Sequence, residues 1–230
     1  MNPLRDLWIR FISFGFYLLY HQFAPTYDLV SWIASFGKWR QWQMASLPFV
    51  KGPDVLELAH GPGHMLLALH DAGHHVTGSD LSPQMGRLAL QKLRAKEAPV
   101  AILQAPAQRL PFADHSFDTV LATFPTEFIA EQASLDEVCR VLRKGGRFVI
   151  VPQARLTGGS VPIKLLEGLY QITGQRNVPN SSERQNSSPT LFSSLYLRFN
   201  EAGFYVSIER VNRSGSEITI LVAAKQNAPS

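Results

Sequence analysis

The residues best equipped for chemistry lie in one loop and at one strand end. The stretch Glu57-Leu58-Ala59-His60-Gly61-Pro62-Gly63-His64 follows the apolar run Val55-Leu56 and precedes a second one, Met65 to Leu69. A strand, a glycine loop and a helix in that order turn backbone N–H groups and the positive end of a helix toward one point. A dinucleotide loop adds a third glycine three residues after the second, so that helix and pyrophosphate approach closely; here that position is Leu66. Nicotinamide-dependent redox chemistry is therefore disfavoured, and a tight loop against a phosphate-free ligand is the better reading. Asp80, at the end of the next apolar segment, offers a carboxylate that can accept from both hydroxyls of a ribose, or can cap the helix that starts near Pro83.

Candidates for proton transfer are Tyr20 and His21 near the N-terminus, His60 in the loop and Glu127 in Thr123-Phe124-Pro125-Thr126-Glu127. Each has a purely structural alternative as a cap, a packing group or a helix start. His60 and His64 stand four apart but bracket the loop instead of sharing a helix face, and no cysteine accompanies them, so no metal site is expected. Cys139, the one cysteine, falls in an apolar helical pattern and reads as core packing.

These residues need a scaffold, and the apolar runs supply one. Asp54 to Leu58, His74 to Ser79, Pro99 to Leu103, Phe117 to Thr123 and Arg147 to Val151 read as strands, alternating with helical patterns. Ser82-Pro83 opens one helix, running to about Lys96. A helix carrying Leu135, Val138, Val141 and Leu142 is expected to end at Gly145-Gly146. Beyond Pro152 the pattern suggests an inserted helix over 156–176, a polar loop over 177–190 and a helix from Leu191 to Ala202. Two closing strands, Phe204 to Val211 and Glu217 to Lys225, meet at a turn over Asn212-Arg213-Ser214-Gly215. The expected fold is α/β: a doubly wound, mostly parallel seven-stranded sheet ending in an antiparallel hairpin, with helices on both faces. It forms a single domain over 1–230, with a helical cap over 1–50, a core over 51–152, an inserted cover over 153–200 and the closing hairpin over 201–230.

Composition excludes other classes. The 230 residues are 45% hydrophobic and 17% charged, which is the balance of a globular protein with a real core and not of a disordered one. The net charge of +4 is spread along the chain without a basic stripe or interleaved aromatics, so a nucleic-acid partner is not expected. A lone cysteine cannot form an intramolecular disulfide, which points to a cytoplasmic protein. The run Leu7 to Tyr20 is apolar and aromatic, but Arg10 interrupts it, and the remainder falls short of the ~20 residues that span a bilayer. It reads either as a helix packed over the ligand cleft or as an interfacial helix making transient contact with a membrane surface.

Four pieces in order, "VLELAHGPGH", "VTGSDLSPQM", "AQRLPFADHSFDTVLATF" and "LDEVCRVLRKGGRFVIV", resemble the class I S-adenosylmethionine-dependent methyltransferases. Within them the match is to the small-molecule group that includes the ubiquinone and menaquinone C-methyltransferases. The upstream "FAPTYDLVSWIASFGKWRQW" is similar to that group's N-terminal segment. The resemblance implies a Rossmann-like methyltransferase fold, with S-adenosylmethionine as cofactor and S-adenosylhomocysteine as product. It places Glu57, Ala59, His60, Gly61 and Gly63 at the methionine and ribose end. It places Asp80 on the ribose hydroxyls, and Leu81, Met85, Ala107 and Gln108 around the adenine. Thr123 and Phe124 line the cleft, Tyr27 closes it, and His21, Tyr27 and Glu127 are the catalytic candidates. The aromatic content of residues 8–36, with the inserted segment 156–200 expected to cover the acceptor beside them, points to a small lipophilic or aromatic acceptor, with O- or C-methylation ahead of N-methylation; oligomeric state stays open. Two departures, Ala59 where the group has glycine and Pro106 where it commonly has aspartate, keep a binding module without turnover as the alternative.

Overall fold

The computed structural model describes residues 27–157 and 190–226. Among them the strands are β1 (Asp54–Leu58), β2 (His75–Ser79), β3 (Ala101–Leu103), β4 (Phe117–Thr123), β5 (Leu142–Leu156), β6 (Phe204–Arg213) and β7 (Ser216–Lys225). The helices are α1 (Tyr27–Ala34), α2 (Trp39–Met44), α3 (His64–Asp71), α4 (Pro83–Ala95), α5 (Gln132–Val141) and α6 (Thr190–Glu201). The sheet runs in the order β3-β2-β1-β4-β5-β7-β6. Only β7 is antiparallel to its neighbours, β5 and β6, so the closing hairpin returns β6 to the common direction. Strand order reverses between β1 and β4, and in open α/β sheets the crevice at such a reversal is where ligands bind.

Strand alternation sorts the core into two layers. Val55, Leu121, Val149 and Ile220 face one side and pack against Trp42, the buried run Met65 to Leu69 of α3, and Ala89 and Leu93 of α4. Leu56, Leu58, Val120, Ala122, Phe148 and Ile150 face the other, against Leu135, Val138 and Val141 of α5 and Phe199 of α6. Helix α4 starts where the sequence says it should: Ser82 Oγ accepts from the Met85 N–H at 3.3 Å, with Pro83 in the first turn.

The fifth strand departs from expectation at both ends. Helix α5 stops at Val141, and Leu142, expected inside it, is already extended and paired with Phe117. The next ladder pair is Thr119 with Arg147, so Arg143 to Gly146 form a bulge in the strand, with Gly145 at φ +71°. The glycine pair marks that bulge and not a helix end. Beyond Val151 the strand continues through Pro152 to Leu156, paired with β7. The register shifts between Ile150 and Gln153, around a proline that has no N–H to contribute. Leu156 thus belongs to the sheet and the Thr157 N–H donates to the Gly215 carbonyl, so the helix expected over 156–176 does not begin there; its remaining residues, and the polar loop after it up to 189, lie outside the described residues. The hairpin turn tightens to Ser214-Gly215.

One arginine fastens the connection from β3 to β4. Arg140 of α5 meets both carboxylate oxygens of Glu137 (2.7 and 2.9 Å), Asp114 Oδ1 (2.8 Å) and the carbonyls of Leu110 (2.9 Å) and Phe112 (2.8 Å). Glu137 in turn accepts the Leu110 N–H at 2.7 Å. A lysine cannot reproduce that planar fork. Arg140→Lys is expected to lower unfolding stability by about 1–2 kcal/mol in urea titration; an unchanged midpoint would show that the loop is held by other contacts.

Candidate active site

The loop between β1 and α3 is built from left-handed backbone. Ala59, Gly61 and Gly63 have φ of +52°, +53° and +80°. The two glycines serve different needs. A Cβ on Gly63 would lie 2.9 Å from Ala89 Cβ, so this glycine lets α3 cross α4 closely, whereas a Cβ on Gly61 would meet nothing within 4 Å. Gly61 presents bare backbone to open space.

Asp80, buried at the end of β2, accepts the Gly61 N–H on Oδ2 and the Ser82 N–H on Oδ1, both at 2.8 Å. The helix cap is Ser82 and not Asp80, which instead holds the N–H of that cap; each Asp80 oxygen makes one bond to the chain and keeps a lone pair for a ligand hydroxyl. Leu81 beside it is exposed, and its carbonyl accepts from Gln104 Nε2 at 3.1 Å.

On β1, in the loop and on α2 stand five of the eight buried side-chain polar atoms that have no hydrogen-bond partner among the described residues: both carboxyl oxygens of Glu57, His60 Nε2, Gln43 Oε1 and Trp42 Nε1. Native interiors leave few such atoms unsatisfied, and a set of them at a sheet switch point is what a polar ligand would complete. Burial pushes the Glu57 carboxyl well above the usual carboxylate range, and the Asp80 charge pushes it the same way. Burial pushes His60 below its ordinary value, against the pull of Asp80. The imidazole has a defined seat. Nδ1 lies 2.7 Å from the Gly61 carbonyl, to which it donates, and Cδ2 lies where Gly78 carries no side chain; a Cβ there would come within 2.9 Å of it.

Helices α1 and α2 close one side. Gln43 Nε2 donates to Thr123 Oγ1 at 3.0 Å, and Trp39 stacks on Phe124 with ring centroids 4.3 Å apart. Phe124, at φ +50°, is fixed by its N–H to the Val151 carbonyl at 2.8 Å. Asp28 of α1 reaches the rim of the glycine loop: its Oδ1 is 2.9 Å from His64 Nε2, and Lys92 Nζ lies 2.8 Å from the same nitrogen. The His64 hydrogen bond, aided by Lys92, holds the Asp28 carboxyl below its usual range, while burial lowers Lys92.

Glu57, Ala59, His60, Gly61, Gly63, Asp80, Leu81 and Thr123 thus all lie at or just beyond the carboxyl ends of β1, β2 and β4, beside the reversal of strand order. Three other sequence candidates stand differently. Met85 is fully buried beneath the start of α4, Ala107 packs against the Leu56 face of the sheet, and the Gln108 amide donates to Glu131 Oε2 at 2.7 Å. Pro106 is exposed, its carbonyl accepting from the Arg109 N–H. Tyr27 heads α1 and Glu127 begins a short 3-10 turn, but their side chains, and the whole of His21, Tyr20 and residues 7–20, lie outside the described residues. Sequence reading missed Trp39, Trp42, Gln43, Gly78 and the grouping of Asp28 with His64 and Lys92. The only signal for the first three was the Trp-x-x-Trp-Gln spacing over 39–43, which places them on adjoining helix positions.

Residues 56–150 match the family described as "Methyltransferase domain". The chain is 36% identical over 168 residues to a demethylmenaquinone methyltransferase of Thermus thermophilus, covering 70% of this chain and 74% of that protein. It is 32% identical over 167 residues to the ubiquinone/menaquinone biosynthesis C-methyltransferase UbiE of Syntrophotalea carbinolica, covering 70% and 68%. Among solved structures, a SAM-dependent methyltransferase from Aquifex aeolicus superposes with a TM-score of 0.54 at 18% identity, covering 80% of this chain and 88% of that one. An N-methyltransferase of Haemonchus contortus in complex with S-adenosylhomocysteine superposes at 0.55 and 18%, covering 83% and 53%. At such identities the structures speak for the fold alone.

The positive φ of Ala59 is a strain that glycine would not feel. Left-handed backbone costs an ordinary residue about 1–2 kcal/mol, and glycine's extra freedom in the unfolded chain takes back about 0.4–1 kcal/mol. Ala59→Gly is expected to raise stability by about 0.5–1 kcal/mol in denaturant titration; a loss of stability would mean that the Cβ makes compensating contacts.

Proposed function

The chain belongs to the class I S-adenosylmethionine-dependent methyltransferases, and on that premise we propose that it methylates a ring carbon of a small lipophilic quinol. The observation that carries this reading is the Trp39–Phe124 stack beside Thr123, a flat aromatic wall at the end of β4. The names of the two relatives, a demethylmenaquinone methyltransferase and a ubiquinone/menaquinone C-methyltransferase, support it.

S-adenosylmethionine supplies a methyl group on a positively charged sulfur, beside an amino-acid end and a nucleoside. The residues of the crevice fit that molecule. Two unpartnered, buried carboxyl oxygens on Glu57 are what a desolvated ammonium requires, and we assign His60 Nε2 to the same methionine end. The bare backbone at Gly61 allows close approach, the remaining lone pairs of Asp80 suit ribose hydroxyls, and exposed Leu81 borders the adenine. Methyl transfer depends chiefly on alignment of the reacting atoms, which a rigid aromatic wall secures for a planar acceptor. As the new carbon–carbon bond forms, the ring carbon loses its proton. For the base that takes it we propose Tyr27, Glu127 or His21, all in segments that border the cleft in sequence.

Glu57 makes cofactor binding pH-dependent, with a sign that can be worked out. Its folded-state pKa is raised, so the unliganded fold loses stability from Glu57 as pH rises through the interval between about 4.5 and that raised value. A cation at the carboxyl favours ionisation, so binding releases a proton and tightens with rising pH over the same interval. Calorimetry in buffers of different ionisation enthalpy is expected to record that release. Glu57→Gln should abolish it and weaken binding by about tenfold or more; proton-neutral binding by the unaltered chain would refute the assignment.

The acceptor is tested directly. The purified chain, given S-adenosylmethionine carrying a 13C methyl group and a demethylated quinol in detergent, is expected to yield a ring C-methyl resonance. A methyl-ether resonance would move the reaction to oxygen, and no transfer to any quinol would end the proposal.

A further inference from the structure

Helix α1 is turned inside out. Its buried side chains are serines: Ser31, and Ser35 just beyond the helix, whose Oγ accepts the Trp39 N–H at 2.9 Å and donates to the Trp32 carbonyl at 3.4 Å. Its apolar side chains face outward. Leu29, Trp32 and Ile33 follow the i, i+3, i+4 spacing of one helical face, Phe36 stands in the turn just beyond the helix at φ +51°, and the four are 58%, 61%, 58% and 49% exposed. A contiguous apolar stripe on the outside of a globular protein marks a surface that something else covers.

Charge around the stripe narrows what that is. Lys38 and Arg40 follow it directly, and the Lys38 ammonium donates to the Ser214 carbonyl, which brings the β6–β7 turn and exposed Arg213 alongside. The helix's own acid, Asp28, is paired with His64 and Lys92, and Arg40 lies close enough to that lysine to act on its charge. An apolar helical face with a basic rim is the composition of helices that lie in the headgroup region of a bilayer, and anionic lipid adds attraction for each cation near its surface. The 26 residues preceding α1 are also apolar and net basic in sequence, with Arg5, Asp6 and Arg10 set among Leu7, Trp8, Ile9, Phe11 and Ile12. Among the described residues no helix is long and apolar enough to cross a membrane, so contact of this kind is peripheral.

We propose that α1 docks on an anionic lipid surface, with Leu29, Trp32, Ile33 and Phe36 below the headgroups and Lys38, Arg40 and Arg213 among them. The stripe lies one turn of chain from Trp39, the outer wall of the crevice, so docking sets the crevice mouth against lipid. This surface stands whichever acceptor the enzyme uses.

The test is co-sedimentation of the full chain with vesicles of phosphatidylcholine alone or mixed with phosphatidylglycerol. The unaltered chain is expected to bind the mixed vesicles and to release them at high salt. The double variant Trp32→Ser, Ile33→Ser, which alters only exposed positions, should bind at least about tenfold more weakly with an unchanged circular dichroism spectrum. Arg40→Glu should lose the preference for phosphatidylglycerol. Binding unaffected by the double variant would overturn the proposal. So would absence of vesicle binding, whether sedimentation velocity then finds a dimer that the double variant dissolves, which assigns the stripe to a second copy, or a monomer, which leaves it to the chain's own terminal residues.

Discussion

Asp80 gives one carboxylate oxygen to the N–H of Gly61 and the other to the N–H of Ser82, and so ties the loop after β1 to the loop after β2 beside the point where the strand order reverses. The rest of the crevice depends on that tie. It holds Gly61 in left-handed backbone with its open side outward, and it positions Ser82 to cap α4, whose Ala89 then sets how close Gly63 must come. It also places a negative charge near Glu57. Burial first, and that charge second, raise the Glu57 carboxyl above the usual carboxylate range.

Several local costs gather around this point. Ala59 and Phe124 have left-handed backbone without being glycine, and five polar atoms of Trp42, Gln43, Glu57 and His60 are buried without partners. Elsewhere the chain is locally consistent: strands alternate, α4 is capped, and both core layers are closely filled. Strain is not confined to this point, since Phe36, Glu97, His115 and Ser214 are also left-handed and Ser134 Oγ, Arg147 Nε and Ser216 Oγ are also buried without partners, but five of the eight unpartnered buried atoms among the described residues belong to four residues of β1, its loop and α2.

The sheet was legible in the sequence because apolar alternation and turn residues state strand positions directly, and the glycine loop with Asp80 sits at the strand ends where the topology puts its crevice. Other features were not legible, for physical reasons. Gly145-Gly146 stops a helix or opens a bulge with equal ease, since left-handed backbone serves both; only the pairing of Leu142 with Phe117 decides. Ala59 has no conformation in a sequence, and its φ became known only with the fold. The periodicity of α1 tells which side chains share a face but not which face is buried, because the pattern is identical with the serines in or out. Trp39 and Gln43 reach Phe124 and Thr123 across some eighty positions of chain, a distance no local pattern spans.

The seat of His60 has a consequence for how this site could have arisen or could change. The imidazole occupies space that exists because residue 78, on the neighbouring strand, is glycine, and any side chain at 78 would meet the ring and the methyl groups of Leu66. A smaller residue at 60 would leave a void over Gly78, and a larger one at 78 would expel the histidine, so neither position can drift by itself. The two form an epistatic couple. A route by which this loop exchanged its histidine for a small residue would have to pass through a cavity first or alter both sites together, and the loop's unusual residue is kept as much by a glycine eighteen positions away as by anything it does for a ligand.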